Sequence, residues 1–351
     1  MNRFDTLSLK NNMLIKLIEQ EADWEELVGQ FEEANFLQSW AWGEFHQSLG
    51  KLVFRVAVFD EQGSAKGLAQ AVLEPAKRGA YLAVAGGPLV KWPDQEVLKL
   101  IFEQLKELGR THGCLFIRFR PQIITSPDKL QTLGTMGAML SPMHLTADLT
   151  LQLDLNLSDE ELLAQMRKNH RSAIRKADQL GIVTSVTTDV DQIQEFYDHQ
   201  LELAKRHGFV PFGFEFLRNQ FQVFASRQAV ALIHARTAQG ELLASAFVIF
   251  YNQEAVYHYG VSTDANRSLP GSYACQWRAM MEARLRGCIR YNFWGVVPLD
   301  QPHHRFAGVS LFKRGFGGQE VEYIKAHDIP LSPRYWVTWW FEKLRKRIRR
   351  L

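Results

Sequence analysis

The groups able to do chemistry in this chain sit in a few short segments. In LFKRGFGG (311–318), Lys313 precedes Gly315, Gly317 and Gly318, which permit a tight turn able to fix the direction of its ammonium. Without such a constraint it is a solvated loop cation. Arg206 in LAKRHGFVPF (203–212) carries a planar guanidinium suited to a two-point grip on an oxyanion, or it serves as a helix C-terminal charge meeting the dipole. Tyr257 and Tyr259 of YHYGVST alternate, so on a strand both face one side; an aromatic strand packed in a core has the same pattern. Arg118 and Arg120 alternate with Phe119 in IRFRPQ, either as anion binders on one face or as paired surface arginines. His303 and His304 are adjacent and point apart on a loop, without ligand-spaced partners, so no metal is assigned. Cys114, Cys275 and Cys288 form no CxxC pair and read as reduced, mostly buried thiols.

Hydrophobic periodicity supplies the elements that position these groups. A chain of 351 residues, 46% hydrophobic and 23% charged, reads as two folded domains. The first half predicts helices at 22–34 and 38–49, strands at 52–59, 67–74 and 80–85, a helix at 94–112 and a strand at 115–119. After a Pro- and Gly-punctuated stretch (121–142) comes a strand at 148–154, then Ser158 with Glu161 as a capping box opening a helical run to Gly181. Helices at 189–207 and 213–226, strands at 229–236, 242–251 and 255–261, a helix at 271–286 and a strand at 289–294 repeat the order. ELGRTHGCLFIRFR (107–120) and EARLRGCIRYNFW (282–294) both stop a helix at Gly-Cys, an echo that duplication or the shared preference of such junctions for Gly explains. This order is that of the acetyltransferase-like (GNAT) fold. The expected class is α/β with mixed sheets in two tandem GNAT-like domains: residues 1–147, completed by 318–334, and residues 148–317. Where a GNAT phosphate loop would lie, NRSLPGSYACQW offers Arg267, but Pro270 removes an N–H donor and only Gly271 allows close approach, which disfavours coenzyme A.

Five segments in order carry a family resemblance: NFLQSWAWGEFHQSLG (35–50), AGGPLV (85–90), the stretch 149–182 around MRKNHRSAIRKA, LAKRHGFVPF (203–212), and YHYGVST through YNFWGV to LFKRGFGG (257–318). Together they resemble the Fem family (FemA, FemB and FemX) of peptidoglycan bridge aminoacyltransferases. No room remains for the long helical arm of FemA-like members. The resemblance implies transfer of an amino acid from aminoacyl-tRNA to an amine of a UDP-linked or lipid-linked peptidoglycan precursor, in which an activated ester meets a good nucleophile and no cofactor is needed. It implies that Lys313 lies beside the reacting ester, that Arg206 grips the precursor's phosphates, and that His46 stands where FemX has a lysine for the same diphosphate. His46 is then expected to be only partly protonated near pH 7. Tyr259 matches the family tyrosine beside Gly, and Trp294 with Asn292 sits where the family reads Asp-Phe-Trp-Gly, with Asn292 in place of the acid. Arg120 stands where the family often has an acid, and a cation cannot act as a base there. The run 166–177 reads either as solvated surface or as a track for the tRNA acceptor. Transfer to another amine or to a lipid hydroxyl, or from an acyl thioester, and a catalytically idle tRNA- or membrane-binding module, are the alternative functions.

Net charge is +3, and residues 342–351 hold six Lys or Arg against Glu342, a local +5 that leaves −2 for the rest. From Tyr335, the residues Val337, Phe341, Leu344, Ile348 and Leu351 recur at helical spacing, flanked by Trp336 and Trp340. Residues 335–351 thus read as a basic amphipathic helix that either rests on an anionic membrane or closes the first domain. No apolar run of eighteen residues occurs, and the start MNRFDTLSLKNN lacks a signal-peptide core, so the expected location is cytoplasmic, with the tail at the inner membrane face.

Overall fold

In the computed structural model, residues 6–10 and 12–349 are described, with the side chains of 6–10 and 349 excepted. The tail residues Arg350 and Leu351 lie outside them. In chain order the elements are β1 (Thr6–Lys10), β2 (Met13–Leu17), α1 (Glu21–Val28), α2 (Trp40–Ser48), β3 (Val53–Phe59), β4 (Ala65–Glu74), β5 (Tyr81–Gly86), β6 (Leu89–Val90), α3 (Gln95–Thr111), β7 (Phe116–Pro121), α4 (Pro127–Thr135) and β8 (Met139–Leu140). There follow β9 (Leu149–Asp154), α5 (Asp159–Gln165), α6 (Lys168–Gln179), β10 (Val183–Thr187), α7 (Ile193–His207), α8 (Phe214–Ala225), β11 (Val230–Arg236), β12 (Leu242–Tyr251), β13 (Glu254–Ser262), α9 (Gly271–Leu285), β14 (Arg290–Gly295), α10 (Ala307–Arg314), β15 (Gln319–Glu322), β16 (His327–Pro330) and α11 (Tyr335–Arg349). They form two compact units, one from the residues up to Asp148 with those from Glu322 onward, the other Leu149–Val321.

The first unit is built on a sheet of order β1-β2-β3-β4-β5-β7-β16-β8, with β6 paired to β4. Its apolar face, with Val56, Val58, Ala69, Leu82, Val84, Ile117 and Phe119, packs on Val97, Ile101, Phe102 and Leu105 of the amphipathic α3. On the opposite face, Arg118 of β7 stands directly across from Asp328 of β16. Arg118 makes a two-point bond to Asp328 and also pairs with Glu342 of α11, while the Tyr335 hydroxyl donates to Asp328. Arg118 is therefore a buried structural cation, neither a surface arginine nor an open anion binder.

The second unit has a sheet of order β10-β11-β12-β13-β14-β9-β15. Ala231, Ile233, Ala246, Val248 and Phe293 pack on α9 through Cys275, Ala279, Met280 and Ala283. Phe247 on the reverse face meets Phe196 of α7 and Phe221 of α8. Each unit contains a parallel pair joined by a crossover helix: β5-α3-β7 in the first and β13-α9-β14 in the second. The Gly-Cys echo falls at the same point of both crossovers. Gly113 and Gly287 take φ of 66° and 78°, left-handed values that stop a helix cheaply. All three cysteines are buried and free.

Two helices depart from the periodicity reading. The expected helix at 22–34 ends at Val28, because Asn35 turns inward and bonds the carbonyls of Glu33 and Gly86. The Ser158–Glu161 capping box is present, but the run to Gly181 breaks between α5 and α6, where the Arg167 N–H donates instead to the Gly315 carbonyl (2.9 Å). A tertiary bond to a segment 148 residues away overrides continuous local helix, something periodicity does not encode.

Candidate active site

In the first unit, the β5–β7 ladder stays paired to its end, Leu82↔Ile117 through Gly86↔Pro121. In the second, the equivalent β13–β14 ladder covers only Glu254↔Arg290 to Val256↔Asn292. Beyond it, β14 shifts register between Asn292 and Gly295, and β13 carries a bulge opposite Phe247 and Val248. The two strands thus part at their C-terminal ends, and backbone groups there are released from the ladder.

Lys313, on the last turn of α10, is buried against this opening. Its Nζ donates to the Gly295 carbonyl (2.8 Å) and lies 5.7 Å from the centre of the Tyr257 ring. Burial, with no carboxylate partner among the described residues, pushes its ammonium down to about 7. The solvated-cation reading is thereby excluded by burial. What aims α10 is a packed aromatic nest. His170 of α6 bonds the Phe312 carbonyl (2.9 Å), and its ring lies so close to Gly315 that a Cβ there would come within 1.8 Å of it. Gly315 therefore acts through close approach, at an ordinary φ of −66°.

Trp294 takes φ +61°, a left-handed value rare for a bulky residue. It is held there by Asn292, whose Oδ1 accepts from the Trp294 N–H (2.8 Å) while Nδ2 donates to Glu254 (3.1 Å). Glu254 is buried, its carboxyl raised by desolvation and partly offset by Arg290. This explains the amide at a position where the resemblance expects an acid: either oxygen would hold Trp294, but a carboxylate would face Glu254 without a donor. An Asn292→Asp variant is expected to lose on the order of 2 kcal/mol at pH 7. Its folded carboxyl pKa would lie above the unfolded value near 4, so stability present below that value is lost as pH rises through the folded pKa. Thermal melts should place variant and parent close together at pH 4 and apart at pH 7.

Tyr257 and Tyr259 do not share a face, contrary to the alternation reading. The bulge at His258 pairs Tyr257 with Val248 and Tyr259 with Phe247, which point to opposite sides. Tyr257 therefore packs toward Phe293 and Lys313, its ring over Gly260, whereas Tyr259 packs on Phe212 and Phe247. Both hydroxyls are raised by burial. Arg206 sits on the last turn of α7, engaged with Asp264 and the Ser262 carbonyl (2.7 Å). Its guanidinium is thus committed to a loop beside β13.

In the first unit, burial and the Lys51 charge push the His46 ring down to about 3, so it is neutral at pH 7 and not partly protonated as its type alone suggested. The cation at that place is Lys51, 3.3 Å from His46 Nδ1 and ion-paired with Glu74 (2.8 Å). Arg120 is fully buried at the end of β7, donating to the Ala147 carbonyl, with the Tyr323 ring 4.7 Å away and Asp148 opposing the desolvation that lowers it to about 10. It remains a cation and is no surface residue. Segments 35–50 and 85–90 meet directly: a Cβ on Gly86 would strike the Asn35 side chain and one on Gly87 the Gln38 side chain, and Gln38 Nε2 donates to the Ala85 carbonyl (2.7 Å).

Sequence reasoning missed Lys51, His170 and Glu254. Lys51 follows His46 by five positions in HQSLGKL, a signal available to charge counting. His170 was hidden within a basic run and Glu254 at a strand start, neither marked by type or spacing.

Comparison with known proteins agrees with this architecture. The sequence pattern of the FemAB family matches residues 20–239 and 217–343. Aminoacyltransferase FemA of Staphylococcus aureus (strain MRSA252) is 24% identical over a match that covers 75% of this chain and 82% of that protein. A crystal structure of FemX superposes with a TM-score of 0.81 at 17% identity, covering 93% of this chain and 99% of that one. A tandem GNAT protein from the clavulanic acid biosynthesis pathway follows at 0.55 and 13%, covering 91% and 99%. With the pattern matched along nearly its whole length, the chain belongs to the FemAB family.

Proposed function

We propose that this protein is an aminoacyltransferase that moves an amino acid from aminoacyl-tRNA to an amine of a peptidoglycan precursor's stem peptide. The observation that carries the reading is Lys313: a buried ammonium, aimed by the Gly295 carbonyl at the parting of β13 and β14. Membership of the FemAB family and relatives named aminoacyltransferase support the class of reaction.

In this reading the acceptor's neutral amine attacks the ester carbonyl carbon. The new C–N bond forms as the carbonyl electrons move to oxygen, and Lys313 donates to that oxygen. Collapse of the adduct breaks the ester C–O bond, and the ammonium proton passes to the departing ribose oxygen. The amine's proton then recharges the lysine. A pKa near 7 suits both halves of this exchange. Tyr257 walls the Lys313 side chain, and Trp294, strained beside it, shapes the approach to the ester. In the first unit, Lys51 beside neutral His46 supplies a cation for a substrate's phosphate, whereas Arg120 and Arg206 are each already held by carbonyls of their own unit. The exposed Lys168, Arg175 and Lys176 of α6 suit the acceptor stem of tRNA. The protein works in the cytoplasm.

The test is to incubate the protein with a mixture of charged tRNAs and both UDP-linked and lipid-linked precursors, then read the acceptors' masses. A precursor heavier by one aminoacyl residue is expected. Mass gain only on a phospholipid, or on no acceptor, would overturn the proposal.

A further inference from the structure

No helix among the described residues is long and apolar enough to cross a membrane. The C-terminal helix α11 nevertheless places its apolar side away from the unit that holds it. Tyr335, Thr338 and Glu342, on one face, are buried or bonded to the sheet, through Asp328 and Arg118. Half a turn round the helix, Val337, Trp340, Leu344 and Ile348 are 68%, 63%, 57% and 72% exposed. At 100° per residue these four fall in one sector about 80° wide. Lys343 and Arg347 border it on one side with Trp336, and Arg345 on the other. The face that docks instead carries the Glu342 salt bridge together with Tyr335, which packs on Leu115 and Phe116 beside Trp339, and the apolar stripe is left outside.

We propose that this stripe is a membrane-surface anchor for anionic phospholipid bilayers, lying in the headgroup plane with α11 parallel to the surface. Charge decides among occupants. The cationic rims complement anionic headgroups, whereas a second copy of the helix would set basic rim against basic rim. Trp336 and Trp340 sit at the edge of the apolar sector, the place where an amphipathic ring meets both acyl chains and headgroups. Anchoring here is independent of the transfer reaction and requires none of its substrates.

The experiment is cosedimentation of the full chain with vesicles of phosphatidylcholine containing one-third phosphatidylglycerol, and with phosphatidylcholine alone, in the absence of tRNA and precursor. Binding is expected only to the anionic vesicles, falling as salt rises, with a blue shift of tryptophan emission. Trp340→Ser with Leu344→Ser should reduce binding at least tenfold. Lys343→Glu with Arg347→Glu should reduce it further than the loss of about fivefold per basic residue. Both pairs lie on the exposed side, so an unchanged melting temperature confirms that the variants fold. Equal binding by parent and variants, absence of anionic-vesicle binding, or a dimer abolished by Trp340→Ser would overturn the proposal. A negative result leaves aminoacyl transfer untouched, since that is read separately.

Discussion

Lys313→Met is expected to lower aminoacyl transfer about a hundredfold while raising the thermal midpoint of the folded protein. The rate loss follows from the removal of one well-placed donor to an oxyanion, on the order of 3 kcal/mol. The gain in stability follows from burial. The ammonium's pKa falls from 10.5 to about 7 on folding, so the folded state binds fewer protons between those values. The cost of the buried charge is therefore largest below pH 7, declines as pH rises, and is gone above 10.5. Methionine fills similar volume without the charge, and the variant should be steadier by on the order of 3 kcal/mol at neutral pH, less the lost bond to Gly295. Melting curves at pH 7 and 10.5 would show a difference at the first and little at the second. In the parent, kcat/KM for the aminoacyl-tRNA, measured at saturating acceptor, should decline above about pH 7 as the lysine loses its proton. A variant equal to the parent in transfer would remove Lys313 from the mechanism.

Asp328→Asn should be the most damaging single change in the first unit, costing about 3 to 5 kcal/mol. Asp328 is wholly buried and accepts from both Arg118 and Tyr335, joining β7, β16 and α11 at one point. Its amide would leave Arg118 balanced by Glu342 alone. Urea unfolding should show a lower midpoint at unchanged slope, and limited proteolysis should release α11 first. Pairing the change with Arg118→Met should recover part of the loss, because an unpaired buried charge costs more than an absent pair. If Asp328→Asn melts with the parent, the triad is not a fastening of this helix.

The two-unit α/β class was legible because periodicity, capping and stops agreed. Strands alternate, Ser158 and Glu161 cap α5, and Gly113 and Gly287 end crossover helices where left-handed backbone is required. The N-terminal hairpin β1–β2 carried no comparable signal, and α4 and β8 lay hidden in a stretch punctuated by Pro and Gly. Site residues were named by resemblance, but their states were not readable from type. A bulge of one residue at His258 turns Tyr259 to the far face. Burial makes His46 neutral, and a salt bridge across 210 positions of chain converts Arg118 from candidate ligand into scaffold. These are consequences of register and desolvation, which depend on partners remote in sequence.

The most direct test supplies one charged tRNA bearing a radiolabelled amino acid, with lipid-linked precursor, to the parent protein and to Lys313→Met. An ester to tRNA is cleaved by mild alkali, whereas an amide on the precursor survives it. The account predicts alkali-stable label on the precursor with the parent protein and about a hundredth of that rate with the variant. Label that stays alkali-labile, or appears on the precursor equally fast with both proteins, would contradict it.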